Sequence, residues 1–160
     1  MELQSFEPLM PALVMSAVDA AFVAYGLKQL HSMRQRPDGR VWGQRVAIVA
    51  AESPTDQDEL RQALFACEAF RQAGVAVPAL SVLDVSGLQG FVVATARVAS
   101  FSTLNELRGE LQDAWFSGGY GWHLTDVQPV RPLRVSASVL VVRGLAMLRA
   151  NVTVRLGEVN

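Results

Sequence analysis

Within eight residues, Trp115-Phe116-Ser117-Gly118-Gly119-Tyr120-Gly121-Trp122, the chain concentrates two of its three tryptophans, one of its two tyrosines and three of its twelve glycines. Aromatic rings supply large apolar faces, and glycine lets the backbone take positive φ or approach another surface closely. Such a segment requires a specific turn beside a ring-lined surface, which a plain linker does not provide. Its simplest role is an aromatic-glycine corner plugging the end of a small barrel.

The rest of the chain has to supply that barrel. At 160 residues and 51% hydrophobic content it can bury one good core, so a single globular domain over 1–160 is expected. The apolar runs Ala17 to Tyr25 and Gly90 to Ala96 end well short of the roughly 18 residues of a membrane span. Glu2 and Glu7 stand where a secretory signal would be basic, so the expected location is cytoplasmic, with no membrane partner. Cys67 is the only cysteine and there are two histidines, which leaves no intramolecular disulfide and no zinc spacing. Cys67 reads as a structural thiol on a helix, and neither a metal nor a cofactor is expected.

A net charge of −1 argues against the broad positive field of a general nucleic-acid binder. Local clusters remain. Arg34, Arg36, Arg40 and Arg45 fall within twelve residues whose only acid is Asp38, and Arg131, Arg134, Arg143, Arg149 and Arg155 occupy the C-terminal third. These two strips either converge on one face or are ordinary solvated surface. Thirteen of the fourteen cations are arginine; Lys28 is the exception, a compact and titratable amine among fixed planar forks.

Patterning places these residues on elements. Pro11 to Met15 reads as a short strand, and Ser16 with Asp19 forms a capping signal for a helix through Tyr25 that Gly26 ends. Arg34 to Gly43 is a loop and Val46 to Ala50 a buried strand. Ser53 as cap, Pro54, Asp56 and Asp58 begin a second helix that Gly74 terminates, with Leu60, Leu64, Cys67 and Phe70 as its apolar stripe. Val75 to Gly87 reads as a crossing loop or short edge segment. Phe91 to Phe101 suits a long central strand, and Leu104, Leu107 and Leu111 predict a short helix over 102–115. Tyr120 to Val127 and Val135 to Val142 read as strands, and Leu145 to Arg155 as a last strand or helix-to-strand segment. The class is α+β, barrel-like, with two or three helices on one side.

This order of features resembles the ASCH domain of the PUA-like superfamily, in its longer bacterial subgroup, over about residues 12 to 150. The matching pieces are Gly26-Leu27-Lys28, Gly43-Gln44-Arg45-Val46-Ala47-Ile48, the helix from Ser53 to Gly74, Gly90-Phe91-Val92-Val93, and the aromatic segment continued by His123-Leu124. The family's GxKxxExR motif is degenerate here: His31 replaces its Glu, Met33 replaces its Arg, and Arg34 is displaced by one. The subgroup's QPW triplet falls on Ala17-Val18-Asp19, and the proline of its WFxGPYGWxL segment is Gly119. The carboxylate that would pair with Lys28 is missing from the motif.

The resemblance implies a small β-barrel with flanking helices that binds RNA or a nucleotide-like ligand without catalysis, in a cleft beside the barrel. Lys28, Arg34 and Arg45 would hold phosphate, with His31, Tyr120 and Trp122 shaping the pocket. Some small members resemble amidohydrolases acting on acetylated cytidine, so the alternative is hydrolysis of a modified nucleoside with Lys28 and His31 as proton-transfer groups. A third class is an adaptor that uses the Leu60/Leu64/Phe70 helix face. Each residue also has a plainer role: Lys28 neutralising a helix end and snorkelling from the rim, His31 in a partly exposed loop, Tyr120 and Trp122 in the core, Asp19 as a cap. Trp42 either closes the arginine loop by packing or stacks a base.

Overall fold

A computed structural model describes residues 10–80, 85–134, 139–142 and 145–148. Strand β1, Met10–Met15, runs into helix α1, Ala17–Tyr25; β2 is Leu30–Met33, β3 Arg45–Ala50, and α2 Gln57–Gln72. Then follow β4, Phe91–Ser102, β5, Tyr120–Arg134, β6, Val139–Val142, and β7, Leu145–Leu148. One sheet contains all seven strands in the order β2-β5-β4-β3-β1-β7-β6. Only β1 and β3 are parallel; the other neighbours are antiparallel. Register shifts interrupt β3 against β4 and recur along β4 against β5, and such bulges bend a sheet. The sheet curls into a half-barrel with α1 packed on it and α2 packed in turn on α1 and on residues Leu111–Trp115, the α+β class expected.

Local signals explain α1. The Ser16 side chain accepts from the Asp19 N–H, and Gly26 takes φ 97°, closing the helix with its N–H on the Phe22 and Val23 carbonyls. Ala17, Val18, Ala20, Ala21, Phe22 and Val23 are all buried, because α1 lies between two cores. On one side Ala17, Ala20 and Val23 join Ile48, Ala94, Val98, Trp122 and Leu124 inside the curled sheet. On the other, Val18 and Phe22 join Leu30, Ala66, Cys67, Phe70 and Trp115.

Helix α2 starts later than its sequence suggests. Asp56, not Ser53, is the N-cap and accepts from the Glu59 N–H at 2.8 Å; Gly74, at φ 83°, follows the last turn as expected. Its buried face is Ala63, Ala66, Cys67 and Phe70, with Leu60 packed partly against it, whereas Leu64 is 47% exposed. Small alanines let α2 approach closely, and hydrophobicity alone had placed Leu64 on the wrong side of the stripe.

Two further expectations change. His31 lies not in a loop but in β2, a four-residue edge strand whose polar His31 and Ser32 carry no β signal; it pairs with Trp122. The predicted helix over 102–115 is two 3₁₀ turns, Leu104–Glu106 and Leu111–Trp115, separated by Gly109 at φ 76°. Glu106 turns back onto the Thr103 N–H and Asp113 onto those of Gly109 and Glu110, so short acidic side chains close each turn locally. Leu104 is left exposed.

The aromatic segment enters β5 through Gly118 and Gly119 at φ 125° and 66°. A Cβ on Gly119 would stand 2.3 Å from the Met33 carbonyl oxygen. That contact and the positive φ exclude proline, whose ring fixes φ near about −65°, and account for glycine at this position. Val75 begins a loop after α2 as expected, and Val85–Leu88 is a further 3₁₀ turn, while residues 81–84 lie outside the described residues. Val135 to Ser138 and the chain beyond Leu148 also lie outside them, as do the side chains of Arg134, Arg143, Arg149 and Arg155. Among the described residues no helix is long and apolar enough to cross a membrane.

Candidate functional site

The two ends of α1 build one ion pair. Ser16 sets the first turn, which carries Asp19, and Gly26 reverses the chain so that the Leu27 and Lys28 N–H groups both donate to the Phe22 carbonyl, at 3.0 and 3.1 Å. The Lys28 side chain folds back along the helix until Nζ is 4.0 Å from Asp19 Oδ1 and 4.6 Å from the centroid of the Trp115 ring. At 2% exposure it does not snorkel from a rim. Nor is it without a carboxylate: Asp19, nine residues earlier, supplies the charge that the degenerate motif lacks.

These groups border a cavity of about 300 Å³. Asp19, Lys28, His31 and Ser32 come from α1 and β2, Asp58, Glu59 and Gln62 from α2, and Trp115 and Ser117 from the aromatic segment. Hydrogen bonds fix the wall: the Ser117 N–H donates to Ser32 Oγ at 2.8 Å, and Gln62 Nε2 donates to the Ala114 carbonyl. Gln112 ties the Lys28 turn to the same wall, accepting from the Gln29 N–H at 2.8 Å and donating to the Leu27 carbonyl at 2.9 Å. A second cavity of about 270 Å³ shares His31 and Glu59 with the first and continues past Ser16, Ala51, Ser53 and Pro54. It sits at the C-terminal ends of the parallel pair β1 and β3, where both helices begin.

Desolvation dominates the electrostatics. Burial lowers the Lys28 ammonium, against the attraction of Asp19 and then Glu59; burial raises Asp19, against Lys28 and the Ser16 hydroxyl. At 4.0 Å the pair does not offset the loss of water around either partner, so both groups are pushed toward neutrality. Burial also raises Glu59, opposed by a hydrogen bond from Ser16. His31 is pushed down to about 3, first by burial and then by the charge of Lys28. Its Nδ1 and Trp115 Nε1 are buried polar atoms without a hydrogen-bond partner, and both residues line the cavity.

The depressed His31 sets a pH dependence. The unfolded chain protonates this imidazole near 6.5 and the fold only near about 3, so between those values the unfolded state binds more protons. Stability conferred by neutral His31 is therefore complete above about 6.5 and is lost as the pH falls toward 3. Raised Asp19 and Glu59 act in the opposite sense in acid, because the fold favours their protonated forms. The expected result is that His31→Gln flattens the acid limb of a urea-derived stability profile, by up to about 1.4 kcal/mol per pH unit. Parallel acid limbs for the two proteins would remove His31 as the source.

Of the six residues assigned from sequence, Lys28 and His31 share the cavity. Trp122 is core, with Nε1 donating to the Gln35 carbonyl at 2.8 Å, and Tyr120 packs edge-on against Phe101 at 5.8 Å. Arg34 is exposed just beyond β2. Arg45 lies on β3, its guanidinium donating to Thr95 Oγ1 at 2.8 Å and to the Asp126 carbonyl and carboxylate. Asp19 is paired with Lys28, and the cap assigned to it is Ser16. The residues missed were Glu59, Gln62 and Trp115. Trp115 was legible as part of the aromatic segment, but nothing local to Glu59 separates it from the ordinary acids of a helix N-terminus. Cys67 is a buried helical thiol, raised by burial, as its structural reading requires.

No protein-family model and no curated protein matches the sequence. Among solved structures, an ASCH protein from Zymomonas mobilis is 16% identical with a TM-score of 0.50, the match covering 94% of this chain and 96% of that one. A Tyr-to-Phe variant of the Zymomonas protein matches at 15% identity and a TM-score of 0.50, over 94% and 99% of the two chains. At such identity the likeness is one of fold.

Proposed function

We propose, from the premise that this chain carries the ASCH-type fold, that it is a single non-catalytic binding module that holds a nucleobase or nucleoside-like ligand, free or within RNA, in the Asp19–Lys28–His31–Trp115 cavity. The carrying observation is the cluster of buried, imperfectly partnered polar groups around a space of about 300 Å³. Concave sites of this size with a few convergent polar groups are typical of small-ligand recognition. A base offers both donors and acceptors, which suits the Lys28 ammonium, the neutral His31 imidazole and the Asp19 and Glu59 carboxylates.

Phosphate suits the cavity poorly. Asp19, Asp58 and Glu59 oppose it, and among the described residues Lys28 is the one cation that lines the cavity. The ligand is therefore read as presenting its base to the cavity and any phosphate outside. Calorimetric titration with a panel of nucleosides tests this: micromolar to millimolar binding is expected, reduced at least about tenfold by Lys28→Met, with nucleotides no tighter than nucleosides. A nucleoside panel without heat, or an affinity untouched by Lys28→Met, overturns the reading.

The hydrolase reading keeps one supporting observation, a buried lysine with a lowered pKa beside a carboxylate. His31 does not help it, since an imidazole held near 3 is a weak base at neutral pH. Release of an acyl group from an acylated nucleoside, abolished by Lys28→Met, would decide for that reading. The adaptor reading required an exposed Leu60/Leu64/Phe70 face, and Phe70 is buried.

A further inference from the structure

Helix α2 carries a second ordered pattern on the side turned away from the core. Its buried face is Ala63, Ala66, Cys67 and Phe70, and the opposite face is Asp58, Arg61, Leu64, Phe65, Glu68 and Arg71, all exposed. The outer face of a surface helix is ordinarily polar. Here its centre is two large apolar side chains, Leu64 at 47% exposure and Phe65 at 65%, the most exposed aromatic ring among the described residues. Neither joins either core.

The charges around them are ordered too. Asp58 lies 3.0 Å from Arg61, and Glu68 3.6 Å from Arg71, both pairs at i,i+3 and well exposed, so within one copy they contribute little. Their positions matter more. Arg61 and Glu68 are equally distant from the midpoint between Leu64 and Phe65, and so are Asp58 and Arg71. A two-fold axis through that midpoint, perpendicular to the helix, sets Arg61 against the partner's Glu68, Asp58 against the partner's Arg71, and Leu64 against the partner's Phe65, each contact occurring twice. A parallel pairing fails, because it would oppose Arg61 to the partner's Arg61 and Glu68 to the partner's Glu68. The antiparallel sense also brings the negative end of one helix dipole to the positive end of the other. With a net charge of −1, two copies repel each other little at long range. An unrelated protein would give no reason for the two halves of this face to match in opposite sign.

We propose that the exposed face of α2 is a self-complementary interface on which two copies of this chain pair antiparallel, with Leu64 and Phe65 at the centre and the Arg61–Glu68 and Asp58–Arg71 pairs on either side. The interface reaches the cavity. Asp58, with Glu59 and Gln62 of the same helix, lines it, so the pairing sets the partner subunit's Arg71 at the cavity rim. The contact itself needs no ligand and is independent of which one the cavity takes.

Sedimentation velocity of the full chain from about 1 to 500 μM should show a reversible shift from monomer to dimer, with a dissociation constant on the order of 10–100 μM for a contact of one helix face per copy. Phe65→Glu should remain monomeric throughout that range while keeping the circular dichroism of the parent, because the side chain it replaces is exposed. Arg61→Glu and Glu68→Arg should each weaken dimerisation at least about tenfold, since each sets like charges together twice across the axis. The Arg61→Glu/Glu68→Arg double variant should dimerise at least as tightly as the parent: in its monomer like charges stand at i,i+3, and the partner relieves them. An ordinary solvated helix face would respond to none of these changes. A parent that stays monomeric at the highest concentration, association untouched by Phe65→Glu, growth past the dimer, or a double variant no tighter than the single ones overturns the interface. Dimerisation without nucleoside heat removes only the cavity reading, and nucleoside heat without dimerisation removes only the interface.

Discussion

Trp115→Ala is expected to lower the unfolding free energy by about 3–5 kcal/mol, the range for deleting a large buried aromatic. The side chain is 1% exposed and is the common neighbour of both helices and the turn after α1: its ring lies 5.5 Å from Phe22 of α1, 6.2 Å from Phe70 of α2, and 4.6 Å from Lys28 Nζ. The smaller core between α1 and α2 closes on this ring, and alanine would leave a void that the backbone cannot fill without moving the Leu111–Trp115 turn. Trp115→Phe should recover much of the loss, because it retains a ring against Phe22 and Phe70 and removes the unpartnered Nε1. Denaturant unfolding of the three proteins is the measurement. An alanine variant within about 1 kcal/mol of the parent would show that the aromatic segment does not close this core.

The second large effect concerns charge. Asp19→Asn removes the carboxylate nearest to a buried ammonium, and breaking a buried pair on one side commonly costs about 3–5 kcal/mol. Here the pair is separated by 4.0 Å and burial already pushes both groups toward neutrality, so a loss of about 1–3 kcal/mol is expected. The residual ammonium should then impose its own pH dependence. Lys28 titrates below its ordinary 10.5 in the fold, so the unfolded chain binds more protons between the lowered value and 10.5, and stability rises with pH through that window. Asp19→Asn should steepen this rise. Lys28→Met should remove it, and the Asp19→Asn/Lys28→Met double variant should be more stable than Asp19→Asn alone, since no charge remains buried. Additive losses in the cycle, with no change in the alkaline slope, would show that the two groups do not interact.

The same pair shows where sequence reading stopped. The Ser16 and Gly26 caps, the long β4 and the close of α2 at Gly74 were legible because each depends on neighbours a few residues away. Leu64 was misplaced because a stripe of large apolar residues outweighed the alanines that touch the core. The 102–115 segment failed similarly: leucines at helical spacing were visible, whereas the side-chain bonds of Glu106 and Asp113 that close two tight turns were not weighed. His31 failed for want of signal, since four residues of an edge strand are specified by their partner β5 and not by themselves.

The aromatic-glycine segment was sufficient to mark an α+β barrel corner, because glycines at positive φ and a run of rings constrain the backbone wherever they occur. It could not place Trp115 over Lys28, which lies 87 positions earlier. Lys28 likewise stood out by composition, but its meaning depended on water being excluded from around it. Desolvation is a property of everything packed nearby: α2 brings Glu59, the curled sheet brings His31, and α1 brings Asp19 to one cavity. Local chemistry thus determined the elements and the class of fold, while burial, which exists only once the elements are assembled, decided which of these residues form a site.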